Sequence, residues 1–181
     1  MASVNTYKKF GEAEAKTNKL GGYKNVLLWA PLNTFASVAS PVGTTALGDK
    51  FKITAAHTFP ADEGWISFLS KLNSVTLRSE AVGEGDAART RWIAEGTLFG
   101  DSAAHQEQLE AARDLPGLFL LKDGNCIDAT AYIQLGDACT QPTFSFTFTG
   151  NTTAEGMKEY RYTISVLDKR FFYSGAVTEK P

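Results

Sequence analysis

The sequence predicts a mainly β protein, an antiparallel β-sandwich or barrel with one packed α-helix and long loops, and three observations carry that prediction. Apolar and polar residues alternate with a period of two through much of the chain, the period at which a strand buries one face. The alternating runs follow one another through short turns of Gly, Pro, Asn and Asp, which suits antiparallel neighbours. One segment alone, DSAAHQEQLEAARDL, combines helix-forming composition with a start and a stop. At 181 residues, 43% hydrophobic and 21% charged, the chain has the size and composition of one globular domain.

The first twenty residues are rich in Lys, Glu, Ala and Asn, carry few apolar anchors and end at Gly21-Gly22. Residues 1–22 are therefore expected to form a mobile N-terminal arm and 23–181 a single β-sandwich domain. From Tyr23 the run NVLLWA predicts a strand that Pro31 stops. LNTFASVASPVGTTALGD has neither period and reads as a long loop, of a kind that usually carries function. In KFKITAAHTF, Phe51, Ile53, Ala55, His57 and Phe59 share one face, opposite Lys52, Thr54 and Thr58, which predicts a half-buried strand ending at Pro60. GWISFL fits either a helical turn or a strand.

KLNSVTLRSEA and ARTRWIAEGTLF are expected to pair as a hairpin around Val82 to Asp86. Its dry face holds Val75, Leu77, Trp92, Ala94 and Leu98; its wet face holds Thr76, Arg78, Glu80, Arg89, Arg91 and Glu95. Asp101 or Ser102 can cap the helix and Pro116-Gly117 ends it; its narrow stripe of Ala104, Leu109 and Ala112 places it on the outside of a sheet. GLFLLK, the turn Asp123-Gly124-Asn125 and CIDATAYIQLG form a second hairpin, in which Leu118 to Leu121, apolar on both faces, make a central strand under the helix. PTFSFTFTGNTTAEGMKEYRYTISV supplies a third hairpin and RFFYSG a last short strand, for eight to ten strands in all. In that third hairpin Phe144, Phe146, Phe148, Tyr160, Tyr162, Ile164 and Val166 form the apolar face. Thr143, Ser145, Thr147, Thr149, Arg161, Thr163 and Ser165 form a polar, β-branched face with little charge, which suits a permanent partner surface as well as plain solvent.

Chemistry is harder to find. Of the two histidines, His57 falls on the apolar side of a strand and His105 near the start of an exposed helix, where packed or solvated roles are the plainer readings. Neither sits in a nucleophile-base arrangement. Gly83-Glu84-Gly85-Asp86 is followed by a strand, so it lacks the helix N-terminus that a dinucleotide fingerprint requires. The carboxylates Glu80, Glu84 and Asp86 lack the ordered spacing of a calcium loop and read as a solvated turn. Cys126 and Cys139 have no metal-site spacing and are expected to be free thiols. The expectation is a protein that is no enzyme and binds no cofactor or metal. A formal net charge of −2 with scattered Lys and Arg gives no footprint for tight nucleic-acid binding. No apolar run approaches the ~20 residues of a membrane span, and the polar start lacks the apolar segment of a secretory signal, so folding in a cytosol is expected.

The layout of arm, long loop, charged-face hairpin, single helix, and closing hairpin GNTTAEGMKEYRYTISVLDKRFFYSG resembles that of the bacteriophage tail tube proteins, related to the tube proteins of contractile injection systems. The resemblance covers Tyr23 to Val177 and is one of order and size. It implies a virion structural protein made in the host cytoplasm, whose partners are further copies of itself in stacked, hexameric rings, other tail proteins, and DNA passing without sequence-specific binding. Thr143, Ser145, Thr147, Thr163 and Ser165 would then form a subunit interface, and Arg78, Glu80, Arg89, Arg91 and Glu95 a lumen wall. Ser37, Val42, Thr44 and Leu47, in the loop from Thr34 to Asp49, would join the arm in contacts between rings. A different class of reading is a β-sandwich binding module that recognises carbohydrate or protein through exposed aromatics such as Trp65 and Tyr132. Within the virion class, a tail terminator, a head completion protein and a capsid decoration protein fit the same layout.

Overall fold

The computed structural model describes residues 22–43, 45–124, 131–150 and 156–181. Among the described residues it is mainly β, with 47% strand and 14% helical residues, two sheets and a single α-helix. In chain order the strands are β1 (Tyr23–Pro31), β2 (Lys52–Ile53), β3 (Ile66–Leu69), β4 (Thr76–Val82) and β5 (Arg89–Phe99), then the helix α1 (Ala103–Asp114), then β6 (Gly117–Asp123), β7 (Tyr132–Leu135), β8 (Thr143–Thr149), β9 (Glu159–Leu167) and β10 (Arg170–Tyr173). The larger sheet has the order β2-β10-β7-β6-β1-β3 and the smaller β4-β5-β9-β8. All pairings are antiparallel except β10 with β2.

Strand alternation divides the interior into two cores. Leu27, Trp29, Phe119 and Leu121 of the larger sheet meet Ala94, Tyr162, Ile164 and Phe144 of the smaller across the inter-sheet core. The intervening residues Leu28, Ala30, Leu118 and Leu120 point the other way, into a second core with Ile53, Trp65 and Tyr173. That core is roofed by Phe35, Val38, Ala39 and Phe59 of the long loop region and by Val177 near the C-terminus. The molecule is therefore layered as loop cover, six-stranded sheet and four-stranded sheet, and the central strands β1, β6 and β7 read as continuous apolar runs because both of their faces are covered.

Three expectations need correction. The strand expected over Lys50 to Phe59 is reduced to the two residues of β2 plus a bridge between Ser37 and Thr58. Ile53 and His57 are buried, while Phe51 and Ala55 are exposed. The segment crosses the second core as a cover, held by buried side chains and by scattered backbone bonds to Ala36, Ser37, Val42 and Ser174 rather than by a continuous ladder. Asp123, expected in the turn, belongs to β6, and its N–H bonds the carbonyl of Ala131; the rest of that turn, residues 125–130, lies outside the described residues. The helix packs chiefly over β8 rather than over β6. Leu109 and Ala112 enter the inter-sheet core, α1 contacts β8, and Arg113 lies 5.8 Å from the Phe146 ring centroid. Its start is capped by Ser102, whose hydroxyl accepts the His105 N–H at 3.2 Å. GWISFL resolves to strand β3. Among the described residues no helix is long and apolar enough to cross a membrane.

Candidate functional site: the outer face of the four-stranded sheet

The four-stranded sheet buries one face and leaves the other open. Register fixes what stands on the open face. Thr76 pairs with Glu95, Glu95 with Thr163 and Thr163 with Ser145, giving one row across all four strands. Parallel rows run Arg78, Ile93, Ser165, Thr143 and Thr97, Arg161, Thr147. The residues expected to form a lumen wall and those expected to form a hydroxyl interface thus lie on one continuous surface, charged toward β4 and hydroxylated toward β8. Between them, Thr76, Glu95, Thr97, Ser145, Thr147 and Arg161 border a shallow depression of about 530 Å³. Ile93, only 6% exposed yet part of neither core, lies on this face beneath its polar neighbours.

Every arginine of the face meets a carboxylate. Arg78 reaches Glu80 at 3.4 Å and Glu95 at 3.5 Å, and Arg91 meets the other oxygen of Glu80 at 3.1 Å. Arg161 meets Glu159 at 3.1 Å. Arg89 donates to Asp168 at 2.6 Å, and this bond, with the Thr90 N–H at 2.8 Å, holds the Asp168 carboxyl below the usual carboxylate range. Four guanidinium groups against Glu80, Glu95, Glu159 and Asp168 leave the face with no net charge. Exposed pairs of this kind add little stability, typically ~0–1 kcal/mol each; their consequence is a surface that holds neither sign in excess.

The face has two free edges. Among the described residues, no backbone group of β4 or β8 is bonded by a segment outside the sheet. Both edge strands have seven residues. Neither contains proline, and β8, TFSFTFT, contains no charge. An uncharged, strand-favouring edge without such protection is a template for another strand.

The other expected residues lie elsewhere. Ser37 is exposed, with its hydroxyl 2.7 Å from that of Thr58, and Val42 and Leu47 are 56% and 53% exposed. This loop lies beyond the six-stranded sheet, on the side of the molecule away from the open face. Thr44 falls outside the described residues. The binding-module reading loses its anchors: Trp65 is 1% and Tyr132 8% exposed, both in the second core, so neither presents a ring to a ligand. Cys139 is exposed, and Cys126 lies outside the described residues.

His57 is a satisfied core histidine. Its Nδ1 accepts the Ala39 N–H at 3.0 Å, which places the ring proton on Nε2, donated to Gln134 Oε1 at 2.8 Å. Gln134 in turn donates to the Gly136 carbonyl, and Tyr173 stacks on the imidazole at 4.8 Å. Burial pushes the His57 pKa down, against the opposing effect of the Gln134 bond, so the ring is kept neutral. Of the open-face residues, Asp168 was not legible as a site residue; its one signal is an Asp in a turn, where it adopts φ 58°.

The fold and the open face define a two-sheet, mainly β protein whose small sheet is finished on one side only. Compared with the profiles of known families, with curated proteins and with solved structures, the chain matches none.

Proposed function

We propose that the protein is a virion structural subunit of the tail tube kind, whose four-stranded sheets join edge to edge into the inner wall of a ring, the rings stacking into a conduit for DNA. The observation that carries this reading is the pair of free seven-residue edges flanking one electrically balanced polar face. Direction agrees with it. β4, β5, β9 and β8 alternate up and down, so the β8 of one copy meets the β4 of the next antiparallel, and the alternation continues around a ring without a break. Six copies contribute 24 strands; at ~4.8 Å between strands and a tilt of ~36°, such a barrel measures about 45 Å across between backbones. That exceeds the 16–18 strands at which a barrel already holds an aqueous channel. A wall whose arginines are each neutralised does not hold passing phosphates, which a basic wall would bind through counterion release. The apolar residues Val42, Leu47 and Phe51 then face away from the lumen, available for contacts with other copies.

Negative-stain electron microscopy and sedimentation of the purified protein over a concentration series test the proposal. Rings or tubes with a central channel are expected. A compact monomer at every concentration overturns it.

A further inference from the structure

The edges of the small sheet do more than permit pairing; their offset selects a register. The row that begins at Thr76 leaves the sheet at Ser145, four residues before β8 ends at Thr149. At that end of β8 the row through Thr149, Glu159 and Phe99 has no counterpart within β4, and at the opposite end the row through Val82 and Arg89 has none within β8. The sheet is thus a parallelogram whose edge strands are equal in length but displaced by four residues.

From this offset we infer that copies join with β4 and β8 paired over their whole length, Thr76 opposite Thr149 of the next copy and Val82 opposite its Thr143. The inference rests on the ring proposed above and names its seam. Whole-length pairing carries a row that starts at Thr76 through Ser145 to Glu80 of the next copy, a shear of four residues for every four strands. One residue of shear per strand is the ratio of the eight-stranded barrel of shear 8, whose strands tilt by ~36°. A closed barrel of this ratio follows from the sheet as it is cut, whatever the number of copies.

The same register matches side chains. On the core side, Phe148, 47% exposed in the single copy, comes to lie opposite Leu77 of the neighbour, an apolar pair across the seam. On the open face Thr147 meets Arg78 and Ser145 meets Glu80. A seven-residue edge is only ~24 Å long and one sheet layer ~10 Å deep, so it falls well short of the ~800 Å² per partner of a stable interface. The deficit is met beside the start of β4. There Leu69 and Leu72, 67% and 72% exposed, line an apolar groove of about 460 Å³ with Phe68, Leu98, Phe99 and Tyr160. That groove adjoins the Thr76 end of β4, where whole-length pairing sets Thr149 of the neighbour, and the occupant is a second copy of this chain.

Disulfide trapping tests the seam. In a Cys126→Ser, Cys139→Ser background, Leu77→Cys with Phe148→Cys places the thiols on directly opposed residues of adjacent antiparallel strands, ~4.5–5.5 Å apart at Cα, within disulfide range. Within one copy the two positions are separated by three strand spacings and by four residues along the strand, about 20 Å in all, so any bond formed joins two copies. A ladder of oligomers on non-reducing gels is expected, at least tenfold stronger than from Ser79→Cys with Phe148→Cys, the same face two residues out of register. Arg78→Cys with Thr147→Cys repeats the test on the exposed face, where substitution leaves the core intact. Rings or tubes in the microscope with ladders only from the shifted pair, or with no ladder, overturn the register and leave the tube reading standing. Absence of both assembly and ladders overturns the two together.

Discussion

The two sheets solve burial in opposite ways. The six-stranded sheet is covered on both faces, by the small sheet on one side and by the long loop region and C-terminal segment on the other. Gln134 of its β7 and His57 of its cover bond each other within the fold. The four-stranded sheet is covered on one face and carries its polar groups outward in ion pairs that stabilise little. Among the described residues one sheet is covered on both faces, and the other has an open face and two open edges. Stability is concentrated in the first and the capacity for association in the second, so substitutions should separate the two properties.

The largest effect is expected from uncovering the complete sheet. Trp65 is fully buried against Phe35 and Phe59, with ring centroids at 5.4 and 5.9 Å. Trp65→Ala removes the keystone of the loop cover and should cost about 3–5 kcal/mol in urea unfolding. Hydrogen exchange should then rise over residues 35–59 while β8 and β9 keep their protection; equal loss in both sheets would break the comparison. A smaller cost is expected where the sheets meet. Gly96 lies under the Tyr162 ring, whose Oη is 3.0 Å from the Ser70 hydroxyl, and a Cβ there would collide with the phenol. Burial has already pushed the Tyr162 pKa up to about 12. Gly96→Ala should cost about 1–3 kcal/mol through overpacking, read as a lower urea midpoint.

A still smaller effect follows from pH. His57 stays neutral when folded because its pKa is lowered, whereas in the unfolded chain it takes up a proton near pH 6.5. Below that pH the unfolded state binds more protons, so stability falls as pH drops from ~6.5 toward the lower folded-state value and is unaffected above it. Tyr173, stacked on the ring, is itself held neutral by burial, and among the described residues no carboxylate bonds the imidazole to offset its charge. Urea midpoints between pH 7.5 and 5.0 should decline less steeply for His57→Gln than for the unsubstituted protein. Parallel curves would assign the acid sensitivity elsewhere.

What the sequence made legible follows the same division. In β4, β5, β8 and β9 one face is wet, so a period of two is written into the residues and both faces were readable strand by strand. In the six-stranded sheet the second face is covered by a segment with no period of its own. Its anchors, Phe35, Val38 and Phe59, sit among small and hydroxyl residues, and nothing local says which surface they roof. The apparent alternation from Phe51 to Phe59 arose because Ile53 and His57 are both buried, four residues apart, although the ladder ends at Ile53. The union of the charged hairpin with the hydroxyl hairpin was also invisible, because it depends on β5 pairing with β9 across sixty or more residues. Alternation assigns faces; only register assigns neighbours.

The smallest expected effect on stability is also the one that bears most directly on association. Thr147 and Thr163 stand on the open face at the depression between the charged and hydroxylated halves, and neither takes part in a core. The double substitution Thr147→Lys, Thr163→Lys places two cations beside Arg161. In the proposed seam the ammonium at position 147 stands against Arg78 of the next copy, a like-charge pair directly across adjacent strands. The isolated chain has solvent there, and its stability should move by no more than about 0.5 kcal/mol. Ring or tube formation should be lost, and high salt should restore part of it, since screening acts on exposed charges within ~10 Å or less. Tubes of ordinary abundance from the double variant at low salt would remove the Thr147–Arg78 contact from the seam, while a large drop in monomer stability would show that the face is less free than its exposure indicates.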